Sequence, residues 1–269
     1  MVLLFQTQEA ACMRYVNRVL VLVVIVAILI TGCNSEPKKE DELPKARPLL
    51  TEAAGKVQEA DSFELQIRVS GYPVRISVGD FPLPDDLPLI FQYAEGVFVA
   101  PDKVQATVQV SLGDVATTAD IVAIGDEQYM RSDLLTQEQW LKQQIIIGFN
   151  PASLIAPEGG IADALRAITK LEMVGQEDME GLDVFHLRGE IQASEVYSLT
   201  FGLIGMKSGL LGVEVYILVE ERLIEQVVLR EPLPEGVEDQ EPTTWTINIM
   251  GYNEPFSIST PEVGATEES

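Results

Sequence analysis

Basic residues are scarce: 18 Lys and Arg stand against 42 Asp and Glu, a formal charge of −24. Nucleic acids are held chiefly by clustered cations that neutralise phosphates, so this balance excludes a nucleic-acid role. Cysteine is scarcer still, with Cys12 and Cys33 alone. If Cys12 is discarded with an export signal, the exported chain has no cysteine pair. Disulfides, thiol nucleophiles and cysteine-ligated zinc or iron-sulfur sites are then excluded. A single histidine, His186, argues equally against a His-rich transition-metal site, and no cofactor is expected. What the chain does have is apolar residues, 46% of the total against 22% charged, the composition of a globular domain of moderate size.

The apolar content begins with an export signal. Arg14 and Arg18 precede an unbroken apolar run from Val19 to Ile30, followed by Ile30-Thr31-Gly32-Cys33. The run has 12 residues. A bilayer-spanning helix needs about 20, so residues 1–32 read as a signal peptide ending in a lipobox rather than as an uncleaved anchor. In that chemistry the Cys33 thiol is alkylated with diacylglycerol and cleavage follows Gly32. Two or three acyl chains, at about 0.8 kcal/mol per buried methylene, make a firm anchor. Gln6, Gln8 and Glu9 ahead of the basic region fit a signal peptide poorly, and translation is expected to begin at Met13. Residues 33–47 (CNSEPKKEDELPKAR) then read as the acylated cysteine and a solvated tether.

Folding periodicity starts at Pro48. Leu49, Leu50, Ala53, Ala54, Val57 and Ala60 recur at helical spacing, predicting one amphipathic helix to Ala60. From Phe63 the period changes to two, with Phe63, Leu65, Ile67 and Val69 apolar and polar residues between them. The same alternation runs through 104–111, 213–219 and 244–249, and strands are further predicted over 91–99, 115–124, 128–131, 182–191 and 223–229. One apolar face per strand and short turns such as Gly113-Asp114 and Gly125-Asp126 indicate an α+β fold built on a large antiparallel sheet. So large a sheet must curve and have its apolar face covered. Candidate covers are the first helix, the stretch 151–169 broken at 157–160, and 194–205. The segment 71–88 carries four prolines and is expected to be a hairpin arm or rim loop, and residues 262–269 an acidic disordered tail. The folded domain thus spans 48–261.

Catalytic constellations are hard to find. His186 alternates with Phe185 and Leu187, which makes it a solvent-facing strand residue without chemical role. Ser153 lacks the G-x-S-x-G setting of a nucleophile elbow. The acidic runs 177–180, 220–221 and 235–241 lack the spaced ligands of a calcium loop and read as solvated turns. Gly202, Gly205, Gly209 and Gly212 punctuate an apolar stretch without a P-loop or dinucleotide fingerprint. The remaining signal is apolar surface in helices laid over a curved sheet, which either packs as an ordinary core or encloses an apolar ligand cavity.

Several pieces in order resemble one family: the lipobox at Cys33, the first helix followed by Ser62-Phe63-Glu64-Leu65, Gln139-Trp140, Phe149-Asn150-Pro151-Ala152-Ser153-Leu154-Ile155, Val174-Gly175-Gln176-Glu177, Phe185-His186-Leu187-Arg188-Gly189, and the ending Trp245 to Pro261. Over roughly 48–261 the chain is similar to the LppX/LprAFG lipoproteins. The resemblance implies a U-shaped antiparallel half-barrel with helices covering its concave face. It also implies a non-enzymatic carrier that binds lipid or acylated glycolipid between sheet and helices, is lipid-anchored outside the cytoplasm, and works within the cell envelope with a possible membrane transporter as partner. A cavity of this kind is expected to draw on Val97, Val99, Val108, Val110, Ile121, Phe149, Leu154, Ile155, Leu165, Phe201, Val215 and Ile217. Two alternatives stay open, an envelope hydrolase with an unrecognised active site and a ligand-free interaction or sensor module.

Overall fold

A computed structural model of the chain describes residues 43–76, 89–204, 208–237 and 239–263. The export signal, Cys33, most of the tether, 77–88 and the end of the tail lie outside these residues. The first helix, α1 (Ala46–Gln58), starts two residues before the periodicity predicts and buries Leu49, Leu50, Ala53, Ala54 and Val57 on one stripe. Its N-terminal turn is fixed by Arg47, which donates to the carbonyl oxygens of Arg166 (3.0 Å) and Ile168.

Strands follow as β1 (Ser62–Ser70), β2 (Val74–Ile76), β3 (Leu89–Val99), β4 (Lys103–Leu112), β5 (Val115–Ile124), β6 (Glu127–Arg131) and β7 (Leu141–Lys142), with a one-turn helix α2 (Asp133–Thr136) between the last two. A 3-10 turn (Pro151–Ile155) and helix α3 (Ile161–Arg166) precede β8 (Thr169–Met179) and β9 (Leu182–Gln192). A second 3-10 turn (Ala193–Val196) runs into α4 (Tyr197–Thr200), and β10 (Leu210–Leu218), β11 (Ile224–Arg230) and β12 (Thr244–Met250) complete the chain.

All pairings are antiparallel, and the strands form one sheet in the order β7-β6-β5-β4-β3-β1-β12-β11-β10-β9-β8, with β2 added against β3. The α+β class and the curved sheet expected from the sequence are therefore correct. Strand β1 is the seam. One meander, β3 to β7, spreads from one side of it and a second, β12 back to β8, from the other. Consecutive strands β7 and β8 thus lie at opposite edges, and residues 143–168 between them have to cross the apolar face. That is why this segment becomes a cover, broken at Ala156–Gly160 as its sequence predicts.

Three strands escape the sequence reading, and each for a physical reason. Strands β2 and β7 are too short to show a period. Edge strand β8 (TKLEMVGQEDM) is mostly charged or polar, carries Lys170 at positive φ, and shifts register twice against β9. Such devices keep an open edge from pairing with other chains, and they erase the alternation that would reveal a strand. Glu177 and Asp178, read as part of a turn, therefore belong to β8; the turn itself is Glu180-Gly181, both at positive φ. In the proline-rich segment, expected as a hairpin arm or a rim loop without a strand assignment, Val74–Ile76 pairs with β3, and 77–88 lies outside the described residues.

Under the cover, Phe63 stacks on Phe98 (4.9 Å between centroids) and Phe91 on Trp245 (5.9 Å). Trp245 is fully buried, and its indole N–H donates to Glu231 at 2.6 Å. Burying an indole this way satisfies its one polar atom and adds a large apolar area to the core.

Candidate functional site

The middle of β3, β4 and β5 presents small side chains to the covered face of the sheet. Ala94, Val108 and Ala119 pair side by side across β3, β4 and β5, and Gly96, Ala106 and Ile121 form the next row. At Gly96 even a methyl group would meet the Gln105 carbonyl at 2.4 Å and the Ala106 Cβ at 2.6 Å. Small residues on the sheet leave space that the covering segments do not fill. A cavity of about 130 Å³ lies there, and every side chain around it is apolar except Gln128. A smaller void of about 40 Å³ continues beside Phe63, Phe98 and Leu154.

Gln128 is the polar group that shapes this cavity. Its Nε2 donates to the carbonyl oxygens of Ile146 (2.9 Å) and Phe149 (3.1 Å), while its Oε1 accepts from the amides of Ile145 and Ile146 (2.9 Å each). That uses the full donor capacity of a side-chain amide and both lone pairs of its oxygen. The crossing segment is thereby tied to β6 with Ile145, Ile146 and Phe149 over the cavity. Nothing about Gln128 marks it in the sequence, because its partners are backbone atoms about 20 residues ahead.

Of the residues expected to line a cavity, Val108, Val110, Ile121, Phe149 and Phe201 do so, and Leu154 with Phe201 lines the smaller void. Leu165, Val215 and Ile217 are fully buried in close-packed core, and Ile155 packs at its margin. Val97 and Val99 are a correction: although Val97 comes near the smaller void, both pack on the outer face with Val122, Tyr129, Trp140 and Ile258. The cause is a bulge in β3 between Phe91 and Tyr93. Leu89 and Phe91 face the cavity before it, and Ala94 and Phe98 after it, so parity along the strand is reversed.

His186 is the other correction, since it is buried rather than solvent-facing. It stacks on Tyr216 at 4.6 Å, with Nδ1 3.2 Å from Glu177 and Nε2 4.0 Å from Glu214. Glu214 also pairs with Arg230 (3.0 Å) and Arg188 (3.4 Å), and the Tyr216 hydroxyl donates to it at 3.3 Å. Burial alone would raise the Glu214 pKa. The hydrogen bond and charge of Arg230, helped by His186 and Arg188, outweigh it and hold the carboxyl below its ordinary value. Burial, and then the negative charge of Glu214, push the Tyr216 phenol up to about 12. A carboxylate with a depressed folded pKa stabilises the protein above its unfolded pKa, and that contribution is lost as pH falls through the folded value. Acid titration of stability should therefore show a loss below about pH 4, and Glu214→Gln should remove part of that slope. Identical pH profiles for the two proteins would dismiss the pairing. Among the described residues no group of three or more His, Cys, Asp or Glu is placed to hold a metal ion, and no helix is long and apolar enough to cross a membrane.

Lipoarabinomannan carrier protein LprG of Mycobacterium tuberculosis, and the same protein of Mycobacterium bovis, are 26% identical over 187 residues, covering 68% of this chain and 73% of theirs. The crystal structure of LprF from Mycobacterium bovis superimposes with a TM-score of 0.61 at 12% identity, covering 81% of this chain and 97% of that one. Lipoprotein LppX of Mycobacterium tuberculosis gives 0.51 at 17% identity, covering 80% and 98%. These two likenesses bear on the fold. The sequence model of the LppX_LprAFG lipoproteins matches residues 45–255, most of the chain and nearly the span of the folded domain, and the protein therefore belongs to the LppX_LprAFG lipoprotein family.

Proposed function

We propose that this protein is a membrane-anchored, non-catalytic carrier that takes the alkyl part of a lipid or acylated glycolipid into the cavity beneath Phe149 and Phe201. The observation that carries the reading is the apolar cavity over a floor of Ala94, Gly96, Ala106 and Ala119. Alkyl surface gains about 25 cal/mol per Å² on leaving water, so such a cavity offsets the loss of bilayer contacts when a chain is extracted. An engineered cavity of about 150 Å³ holds benzene. The present volume of about 130 Å³ accordingly accepts a short stretch of chain, and a full acyl chain needs the crossing segment and the Phe201–Ile204 stretch to move outward. Membership of a lipoprotein family whose relative LprG is named a lipoarabinomannan carrier supports the same reading.

Organic extraction of the purified protein followed by mass spectrometry tests it. A lipid recovered in near-stoichiometric amount is the expected result; no lipid, and no uptake of a fluorescent fatty acyl probe, would overturn the carrier reading. The anchor is tested separately. Cys33→Ala should release the protein from the membrane fraction or leave the uncleaved precursor, whereas a membrane-bound chain of mature length would refute acylation at Cys33.

A further inference from the structure

Register across the sheet defines two ends. Thr169, Glu190, Gly212, Arg230, Thr244 and Ser70 form one continuous row, and beyond it lie the β4–β5 turn and the start of β10. The N-terminal turn of α1 is bonded to Arg166 and Ile168, beside Thr169 in that row, so the chain arriving from Cys33 enters the domain at this end. The cavity reaches it too, through Ile76 and Leu89. At the other end, Phe63 and Phe98 stack and are buried, and the turns carry exposed carboxylates at Asp61, Asp126, Glu180, Glu220 and Glu254.

Five of the nine exposed large apolar side chains among the described residues gather at the end where the chain enters. Leu43, Val115, Leu134, Tyr197 and Leu210, each 45–58% exposed, lie toward that end; Leu182 lies at the far turns, and Ile147, Val174 and Val263 belong to the crossing segment, the middle of edge strand β8 and the C-terminal stretch. Single exposed leucines or valines mean little, but their accumulation at one end of a strongly acidic molecule is a signal. Leu43 lies ten positions after Cys33. That length reaches at most about 35 Å when extended and about 17 Å as a coil.

From these observations we infer that the end of the sheet bearing Val115, Tyr197 and Leu210 rests on the lipid bilayer, with those side chains entering the headgroup region. The inference rests on the lipoprotein reading, because the tether brings this end to the surface. Glu235, Asp239 and Glu241 on the β11–β12 loop belong to the same end. Attraction to anionic lipid is therefore not the source of the contact; apolar insertion is, and a zwitterionic bilayer suffices. Docked this way, the protein has the Ile76–Leu89 side of its cavity, rather than the Phe63–Phe98 end, next to the lipids it loads.

The test uses the full acylated protein in phosphatidylcholine vesicles. Because Cys33 is blocked by acylation, a single new thiol can be labelled with an environment-sensitive fluorophore in each of Val115→Cys, Leu210→Cys and, at the far end, Glu220→Cys. Labels at 115 and 210 should shift to the blue and lose most of their emission when the vesicles contain doxyl-labelled lipid, and the label at 220 should do neither. Equal behaviour at all three positions, or no quenching at 115 and 210, would overturn the docking geometry. A second reading comes from Val115→Asp with Leu210→Asp. Uptake of a fluorescent acyl probe from vesicles should slow on the order of tenfold while uptake from detergent micelles is unchanged. Equal slowing from both sources would also count against docking. If the parent protein takes up no probe from either source, the carrier reading fails, and the quenching result still decides the docking.

Discussion

Val108→Trp should lower co-purified lipid several-fold while leaving the melting temperature within a few degrees of the parent. Val108 is flanked directly by Ala94 and Ala119 on the neighbouring strands, and its side chain faces the cavity. An indole placed there extends over two methyl groups into empty volume, competing with an acyl chain instead of with protein atoms. Ile217→Trp is the contrast. Ile217 is fully buried in the core cluster with Phe185, Val215 and Val227 and lines neither apolar void, so the larger ring overpacks the core. Overpacking costs typically 1–3 kcal/mol, sometimes more, which at this chain length lowers the melting point by about 2–4 °C per kcal/mol. Marked destabilisation by Val108→Trp, together with no lipid in the parent protein, would show that the space above Ala94 closes as ordinary core.

Gln128→Leu should destabilise the protein by about 3 kcal/mol or more. The substitution keeps the volume but leaves the amides of Ile145 and Ile146 and the carbonyls of Ile146 and Phe149 without the partner that now satisfies them. Each orphaned buried group costs about 1–3 kcal/mol, reduced where the loop can turn it to water. The loop has that option, so the loss is expected to appear both as a lower melting point and as faster hydrogen exchange at Ile145 and Ile146. Lipid uptake should quicken as the cover loosens. Unchanged exchange at those two amides would mean that the crossing segment is held by apolar packing alone, and the role assigned to Gln128 would fall.

The sheet was readable wherever one face is dry. Strands β1, β4 and β12 alternate cleanly because the covered face takes apolar side chains and water takes the rest, and their predicted limits fall within a residue or two of the observed ones. Strand β8 was hidden because an edge is protected by charge, and Val97 and Val99 were misplaced because a bulge is a backbone event that leaves no mark in an alternating pattern. His186 was misjudged for a related reason. Its face of the sheet is outward, but Tyr216, Glu177 and Glu214 from adjoining strands cover it, and such neighbours are 9 to 30 residues away along the chain.

By itself, then, the sequence determined the fold class and the family, and it carries the pattern of an export signal with a lipobox. These depend on composition, local period and short motifs, which are properties of neighbouring residues. Only the tertiary structure decided which apolar positions border empty space and which are packed. Val108 and Ile217 are equally apolar and equally inward, and they differ in whether the neighbours across the sheet and the segment crossing above fill the volume between them. A cavity is a deficit of packing among residues far apart in the chain, and no local pattern records it.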